Sequence, residues 1–98
     1  MAEIKWSSQA QRDLSIIADF IAKDSKKYAR ITIEQILERV DLLKSNPKQG
    51  RIVPEVKVSH IREIIFKNYR IVYHLKSDLI FIITVHHTAM LFDTGKIK

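Results

Sequence analysis

Residues 61–75 read IREIIFKNYRIVYHL. Isoleucine, valine, phenylalanine and tyrosine dominate this stretch, and Lys67-Asn68 is a turn signal between two runs of β-forming residues. The stretch therefore predicts a β-hairpin. Two arginines, Arg62 and Arg70, stand within the predicted strands. Because arginine keeps its charge at any workable pH, each of them must meet water, an acid or an anionic partner.

The sequence that follows extends the hairpin into a meander. Residues 76–78 (KSD) are a second turn signal, and the apolar run at 79–87 is a third strand after strands at 60–66 and 69–76. Such short connections join antiparallel neighbours. The third strand is apolar on both faces, which predicts a central position. We predict that the tail at 88–98 either covers part of the open sheet face or stays mobile.

The N-terminal half predicts a short strand and two helices. Residues 3–6 (EIKW) form the strand, and Ser8 with Gln11 has capping-box spacing for a helix that follows. Ser25 is the predicted cap of a second helix, which must end by Asn46 because Pro47 cannot continue the hydrogen-bond ladder. The apolar stripes fall at Ala10, Leu14, Ile17 and Ile21, widened by Phe20, and at Ala29, Ile33, Ile36, Val40 and Leu43.

Two helices joined by so short a link form an antiparallel hairpin. The segment from Pro47 to Ser59 contains both prolines and one of the two glycines of the chain. It is predicted to be a connecting loop that crosses to the sheet and contains one short extended piece. We therefore predict a single α+β domain over residues 1–98. Its order is β-α-α-β-β-β, with the helical hairpin packed on a small, mainly antiparallel sheet.

Composition excludes several classes of function. The 98 residues contain no cysteine, so a disulfide framework and a thiolate metal site are both excluded, and the absence of a signal peptide or long apolar run predicts a cytoplasmic protein without a membrane partner. No metal-ligand spacing or phosphate-binding glycine loop is present, and we predict no cofactor. The net charge of +6 favours an acidic partner, which charge alone leaves open between nucleic acid, membrane and polypeptide.

The register of the central hairpin decides where the two arginines lie. A two-residue turn at Lys67-Asn68 pairs Arg62 with Tyr73 near the core and leaves Arg70 on the open face. A three-residue turn would put both arginines on one side. We favour the two-residue turn, with Arg62 held by an acid or by backbone carbonyls.

The order of elements and several short motifs resemble the ParE/RelE superfamily of bacterial toxins from type II toxin–antitoxin modules, over positions 3 to about 90. This resemblance implies a cytoplasmic toxin neutralised by an antitoxin encoded beside it. It also implies one of two targets, DNA gyrase in ParE-like members or ribosome-bound messenger RNA in RelE-like members. The motifs that carry it are Trp6, Ala10, Asp13-Leu14, Ile17 and the segment FIA at 20–22; Pro47, Gly50, Arg51 and Pro54-Glu55; and the hairpin quoted above with the later VHH.

The resemblance favours the ParE-like branch, that is, a gyrase poison rather than a ribonuclease. The ribonuclease branch implies two lysines on the strand before the YR motif, and an ungapped alignment places Ile61 and Glu63 at those positions. Thr88 or its neighbours stand where the ribonuclease branch has an arginine after the last strand. The chain departs from the ParE-like pattern at Met90, where those sequences often carry an arginine, and this departure argues against a basic C-terminal site in either branch.

No catalytic residue is assigned. Arg70 cannot act as a base, and His86 and His87 point to opposite faces as strand neighbours, so they cannot act together. Arg70 and His87 remain the only candidates for catalysis. We predict that the antitoxin or target binds Arg51, Lys57, Lys67, Arg70 and His87, and that Trp6, Arg62, Tyr69 and Tyr73 are structural. An inactive relative that only binds partners is the remaining alternative.

Overall fold

The computed structural model describes residues 2–88 and contains eight elements of regular structure. The sheet order is β1-β5-β4-β3-β2, in which only β1 and β5 run parallel. The α+β architecture and the mainly antiparallel sheet are therefore confirmed. The elements are β1 (Glu3–Trp6), α1 (Ser8–Ala22), α2 (Lys26–Asp41), a 3₁₀ turn (Leu42–Lys44), β2 (Arg51–Ile52), β3 (Ile61–Phe66), β4 (Tyr69–Lys76) and β5 (Leu79–His87).

The main core lies between the helical hairpin and one face of the sheet. The second-helix stripe is buried or half-buried as predicted, and the predicted positions of the first helix other than Phe20 are at least half-buried. Phe20 is 70 % exposed, with the Lys23 ammonium 5.8 Å from its ring centroid. The prediction that Phe20 widens the apolar stripe is wrong, because Phe20 and Ile16 project from the helix flank into solvent.

A smaller core covers the opposite face of the sheet. Val53, Val56 and Val58 from the connection before β3 pack there against residues of the sheet. The third strand of the meander, β5, is interior but not central, since β4 occupies the middle of the five strands. The predicted roles of the tail fall on residues 89–98, which lie outside the described part of the chain, whereas Thr88 is exposed.

The first helix begins differently from the prediction. Its cap is Ser7 and not Ser8: the Ser7 hydroxyl accepts a hydrogen bond from the Ala10 N–H and donates one to the Ile83 carbonyl. The Ser7 N–H also donates to the Ile82 carbonyl, so pairing with β5 holds the chain extended through Ser7. The helix can begin only after that residue. The predicted cap at Ser25 is confirmed.

A buried carboxylate fastens α1 to an irregularity in the sheet. The partner of β4 jumps from Thr84 at Val72 to Ile82 at Tyr73, so β5 carries an extra residue at this point. Asp13 accepts hydrogen bonds from the Thr84 hydroxyl, the Val85 N–H (3.1 Å) and Gln9 Nε2 (2.7 Å). A buried carboxylate on a helix therefore satisfies polar groups that the bulge leaves available.

Candidate functional site

The central hairpin has the register that a two-residue turn predicts. Arg62 pairs with Tyr73 and Ile64 with Ile71, whereas Arg70 pairs with Ile65 on one side and with His86 on the other. The two arginines therefore lie on opposite faces of the sheet. Arg70 belongs to the face opposite the helices, as the register prediction required.

Arg70 is the centre of a cluster of two arginines and two glutamates, which we call the arginine–glutamate cluster (Arg51, Glu55, Glu63 and Arg70). Its Nε lies 2.6 Å from Glu63 Oε1, and its two terminal nitrogens lie 2.7 and 2.8 Å from the Glu55 carboxylate. Arg51 Nε approaches the other oxygen of Glu63 at 2.7 Å. The Glu63 side chain is 0 % exposed, whereas that of Arg51 is 61 % exposed. Two arginines thus clamp one buried carboxylate.

The cluster is electrically balanced, because its two positive side chains face two negative ones. Hydrogen bonds from Arg70 hold the pKa of Glu55 at about 2, against an ordinary value of 4.5, and burial opposes this effect only in part. The hydrogen bonds to Glu55 also raise the pKa of Arg70, with Glu63 adding to the same effect. Arg51 and Arg70 were predicted to attract an acidic partner, but their charge is already compensated within the fold.

The lowered pKa of Glu55 predicts a stability contribution that depends on pH. A carboxyl whose pKa is lower in the folded than in the unfolded chain stabilises the fold above its unfolded pKa, and this contribution is lost as the pH falls through the folded value. The contribution of Glu55 should therefore decline from pH 4.5 and disappear near pH 2. Because the side chain is partly exposed, we expect only about 1 kcal/mol at pH 7.

Urea unfolding of the wild type and Glu55→Gln between pH 2.5 and pH 7 measures this contribution. The matched control is Glu34→Gln, which removes one carboxylate from an exposed pair with Arg30 at 3.9 Å. Glu34→Gln should change the free energy of unfolding by less than about 0.5 kcal/mol throughout. A difference between wild type and Glu55→Gln that does not vary with pH would contradict the prediction.

The two histidines at the end of β5 do not share a site. His86 is buried opposite Arg70, and His87 pairs with Tyr69, whose ring it meets edge-on at 5.5 Å between centroids. They therefore face opposite sides of the sheet, as strand geometry predicts. Arg70 and His87, the two candidate catalytic groups, lie on opposite faces of the sheet and therefore cannot act together on one substrate.

Arg62, the other arginine of the hairpin, takes part in a hydrogen-bond network around Gly50. Arg62 Nη1 donates to the Gly50 carbonyl at 2.9 Å, and the Gly50 N–H donates to the Tyr73 hydroxyl at 3.0 Å. The Tyr73 hydroxyl in turn donates to the Pro47 carbonyl at 2.6 Å. Tyr73 is completely buried. These four residues fasten the connection after α2 to the middle of the sheet, so Arg62 is held by a backbone carbonyl.

The last two residues predicted to be structural, Trp6 and Tyr69, both pack against the main core while remaining partly exposed. Burial raises the pKa of Tyr69, and the neighbouring Tyr28 acts in the same direction, whereas Lys67 opposes it. Tyr69 therefore connects the core to a group of side chains around the hairpin turn.

That group forms a second surface, which we call the hairpin-tip patch (Tyr28, Arg39, Phe66 and Lys67). The Lys67 ammonium lies 5.2 Å from the Tyr28 ring centroid and 5.4 Å from that of Phe66, and it donates to the Tyr28 hydroxyl at 3.3 Å. The Arg39 guanidinium lies 5.1 Å from the same Phe66 centroid. These distances are typical of cation–π contacts.

Three members of this patch were missed by sequence reasoning. Tyr28 and Arg39 lie on α2, outside its buried stripe, and Phe66 reads as an ordinary strand residue. Of the predicted binding residues, Lys67 belongs to this patch, while Lys57 is exposed on the connection before β3 with a φ of 58°. The available signal was Tyr28, an exposed tyrosine on a helix with many cations, but its contact with Lys67 in the hairpin turn follows only from the tertiary fold.

Residues 2–88 contain neither a metal-ligand cluster nor a membrane-spanning helix. No group of three or more histidine, aspartate or glutamate side chains there is placed to hold a metal ion. No helix in that part of the chain combines the length and the apolar character needed to cross a membrane.

Comparison with known proteins extends these observations. Residues 4–92 match the family described as ParE toxin of type II toxin-antitoxin system, parDE. The chain belongs to this family. The ParE match spans the helical hairpin and the whole meander, and it makes the protein a toxin of the type II toxin–antitoxin class. The predicted superfamily is thereby confirmed.

Two individual proteins are similar to this ParE-family chain. Toxin RelE2 from Caulobacter vibrioides is 28 % identical over 92 residues, which cover 93 % of this chain and all of that protein. A solved structure described as the chromosomal ParDE TA system from P. aeruginosa superposes with a TM-score of 0.74 at 23 % identity. The match covers 89 % of this chain and 96 % of the other. At this identity the structural match shows a shared fold.

Proposed function

We propose that this ParE-family toxin poisons DNA gyrase in the cytoplasm and is neutralised by an acidic antitoxin encoded beside it. The observation that supports gyrase over messenger RNA as the target is that Glu63 is buried and paired with two arginines. A ribonuclease of the superfamily is expected to carry lysines at positions 61 and 63. Here Ile61 is a buried core residue, and Glu63 is a buried carboxylate held by two arginines.

The candidate groups on the central hairpin and at the end of β5 also do not form an acid–base pair for RNA cleavage on one face of the sheet. Attack by a 2′-hydroxyl needs one group to remove its proton and another to protonate the leaving oxygen. His86 is buried, His87 lies on the other face, and Glu63 is inaccessible to a substrate. Gyrase poisoning by binding requires no such pair. These facts support a toxin that acts by binding.

A second candidate function is favoured by one specific observation. The relative from Caulobacter vibrioides carries the name Toxin RelE2, and the superfamily's RelE-like branch cuts messenger RNA on the ribosome. Messenger RNA cleavage is therefore the alternative that an experiment must exclude. The antitoxin is expected under both functions, since the solved relative is described as a ParDE system.

Controlled expression separates the two targets. Cells that induce this chain should accumulate covalent gyrase–DNA complexes and activate a DNA-damage response within one generation, while messenger RNA within ribosome-bound codons stays intact. His87→Gln preserves a polar side chain at the Tyr69 contact and removes the half-buried imidazole of β5, whereas the imidazole of His86 is buried. We expect the gyrase-linked breaks to survive this substitution.

The opposite pattern would refute the gyrase proposal. Codon-phased RNA cleavage without gyrase-linked breaks, abolished by His87→Gln, would identify a ribonuclease and make His87 a catalytic residue. Harmless expression of soluble, folded wild-type chain would instead identify an inactive relative that only binds partners.

A further inference from the structure

The arginine–glutamate cluster is balanced in charge, so the excess positive charge of this chain comes from other residues. That cluster contains two arginines and two glutamates, and Lys44 of the 3₁₀ turn pairs at 2.9 Å with Asp41, the last residue of α2. By contrast, within residues 2–88 neither Lys67 nor Arg39 has a carboxylate within salt-bridge distance. Both cations instead rest against aromatic rings. Two of the cations that contribute to the net charge of +6 are therefore exposed to a partner at the hairpin-tip patch.

The backbone at Lys67 adds an independent observation. Its φ is 53°, in the left-handed region that glycine and asparagine tolerate and that costs other residues free energy. Asn68, which would adopt this conformation more easily, stands at the next position. A lysine therefore occupies the strained position of the turn, and its ammonium is held over two aromatic rings. The contact of its ammonium with these rings distinguishes Lys67 from Ser77, whose φ is also positive.

The aromatic members define the chemistry of the partner. Tyr28 is 50 % exposed, whereas the Phe66 ring is buried beneath the two cations. Single-stranded nucleic acid would need free ring faces on which bases could stack, and the cations occupy faces of these rings. An acidic polypeptide needs only cations for its carboxylates and an exposed apolar surface for its side chains. The patch offers both.

We propose that the hairpin-tip patch is a docking site for an acidic segment of the antitoxin. Carboxylates of that segment pair with Lys67 and Arg39, and an apolar side chain packs against Tyr28. Because both cations lie near one Phe66 ring, two carboxylates on one helical face or on alternate positions of a strand can reach them together. This inference rests on the proposed function, from which it takes the antitoxin as partner.

Lys67→Gly is the decisive variant. Glycine accepts a φ of 53° without strain, so the fold is preserved while the ammonium is removed. We expect the dissociation constant for the purified acidic protein of the neighbouring gene to rise at least about tenfold, with no fall in thermal midpoint. Affinity should also depend less on salt between 50 and 300 mM, since one charge contact is gone. Arg39→Gln should act in the same direction.

The matched control lies at the other end of β4. Ser77 has a φ of 52° in the turn between β4 and β5, and Lys76 precedes it. The double variant Lys76→Ala, Ser77→Gly therefore also removes one positive charge and one strained turn residue. It should bind the acidic protein as tightly as the wild type. Calorimetric titration of all variants, with circular dichroism to verify folding, provides the comparison.

Three results would overturn the docking site. The first is that Lys67→Gly and Arg39→Gln both bind the acidic protein as tightly as the wild type. The second is that the double control variant loses as much affinity as Lys67→Gly. The third is that the wild type binds a 20-nucleotide oligothymidine and that Lys67→Gly weakens this binding. The first two leave the proposed function intact, because the wild type still binds the acidic protein. If the wild type does not bind any acidic protein encoded beside its gene, the proposal of an acidic antitoxin is refuted, and the proposed docking site is refuted with it.

Discussion

Replacing Arg70 by alanine is expected to destabilise the protein by about 3–5 kcal/mol, because it removes one partner from a buried ion pair. Glu63 has no exposed side-chain surface and would retain only Arg51 as a partner, while Glu55 would lose both of its short hydrogen bonds. For a domain of this size, such a loss lowers the thermal midpoint by roughly 15 °C or more. Chemical unfolding in urea measures the change directly.

Arg51→Ala is the matched control, since Arg51 contacts the same carboxylate from the solvent side. We expect it to cost only about 1 kcal/mol, because Arg70 still neutralises Glu63. The double variant Arg70→Met, Glu63→Leu removes both buried charges and should recover most of the stability lost in Arg70→Ala. A cost below about 1 kcal/mol for Arg70→Ala alone would show that Glu63 does not carry a buried charge.

This result also affects how toxicity experiments are interpreted. Loss of toxicity in Arg70→Ala would be expected from unfolding, whatever the target of the toxin. Arg70 is therefore a poor choice for identifying a catalytic group, and His87→Gln, which leaves the arginine–glutamate cluster unchanged, is the informative substitution.

The second large effect is expected for Gly50→Ala, at about 2–4 kcal/mol of lost stability. A methyl group at this position would lie 2.6 Å from the Glu63 carbonyl oxygen, 2.7 Å from the Tyr73 hydroxyl and 2.9 Å from the Tyr73 ring. Glu63 is in a paired strand and Tyr73 is fully buried, so neither can move without disturbing the sheet. Glycine is required here by close packing and not by its backbone conformation, since its φ is not positive.

A double-mutant cycle with Tyr73→Phe tests this explanation. Removing the hydroxyl relieves one of the close contacts, so the double variant should be less destabilised than the sum of the two single changes. Gln49→Ala, an exposed neighbour on the same connection, should change the free energy of unfolding by less than about 0.5 kcal/mol. Additive costs in the cycle would mean that the methyl group does not meet the tyrosine.

The sequence predicted the meander with little error because its signals are local. The runs of β-forming residues and the two turn signals fix three strands, and the observed pairing of Arg62 with Tyr73 is the one that a two-residue turn produces. The cap of the first helix was misplaced by one residue for a physical reason that is not local. Pairing with β5, more than seventy residues away, keeps Ser7 extended.

The sequence by itself determined the α+β class, the helical stripes and the family, since periodicity, turn residues and ordered motifs are properties of the chain. Only the tertiary structure decided which charges remain available. Glu63 and Glu55 precede Arg70 by 7 and 15 positions, and the fold brings both to Arg70, while Glu63 also pairs with Arg51. Tyr28 and Lys67, 39 positions apart, come together because α2 packs across the hairpin turn. The net charge of the chain is a sum over its residues and can be read from the sequence. Whether a given charge is compensated depends on its distance from opposite charges, which only the folded structure determines.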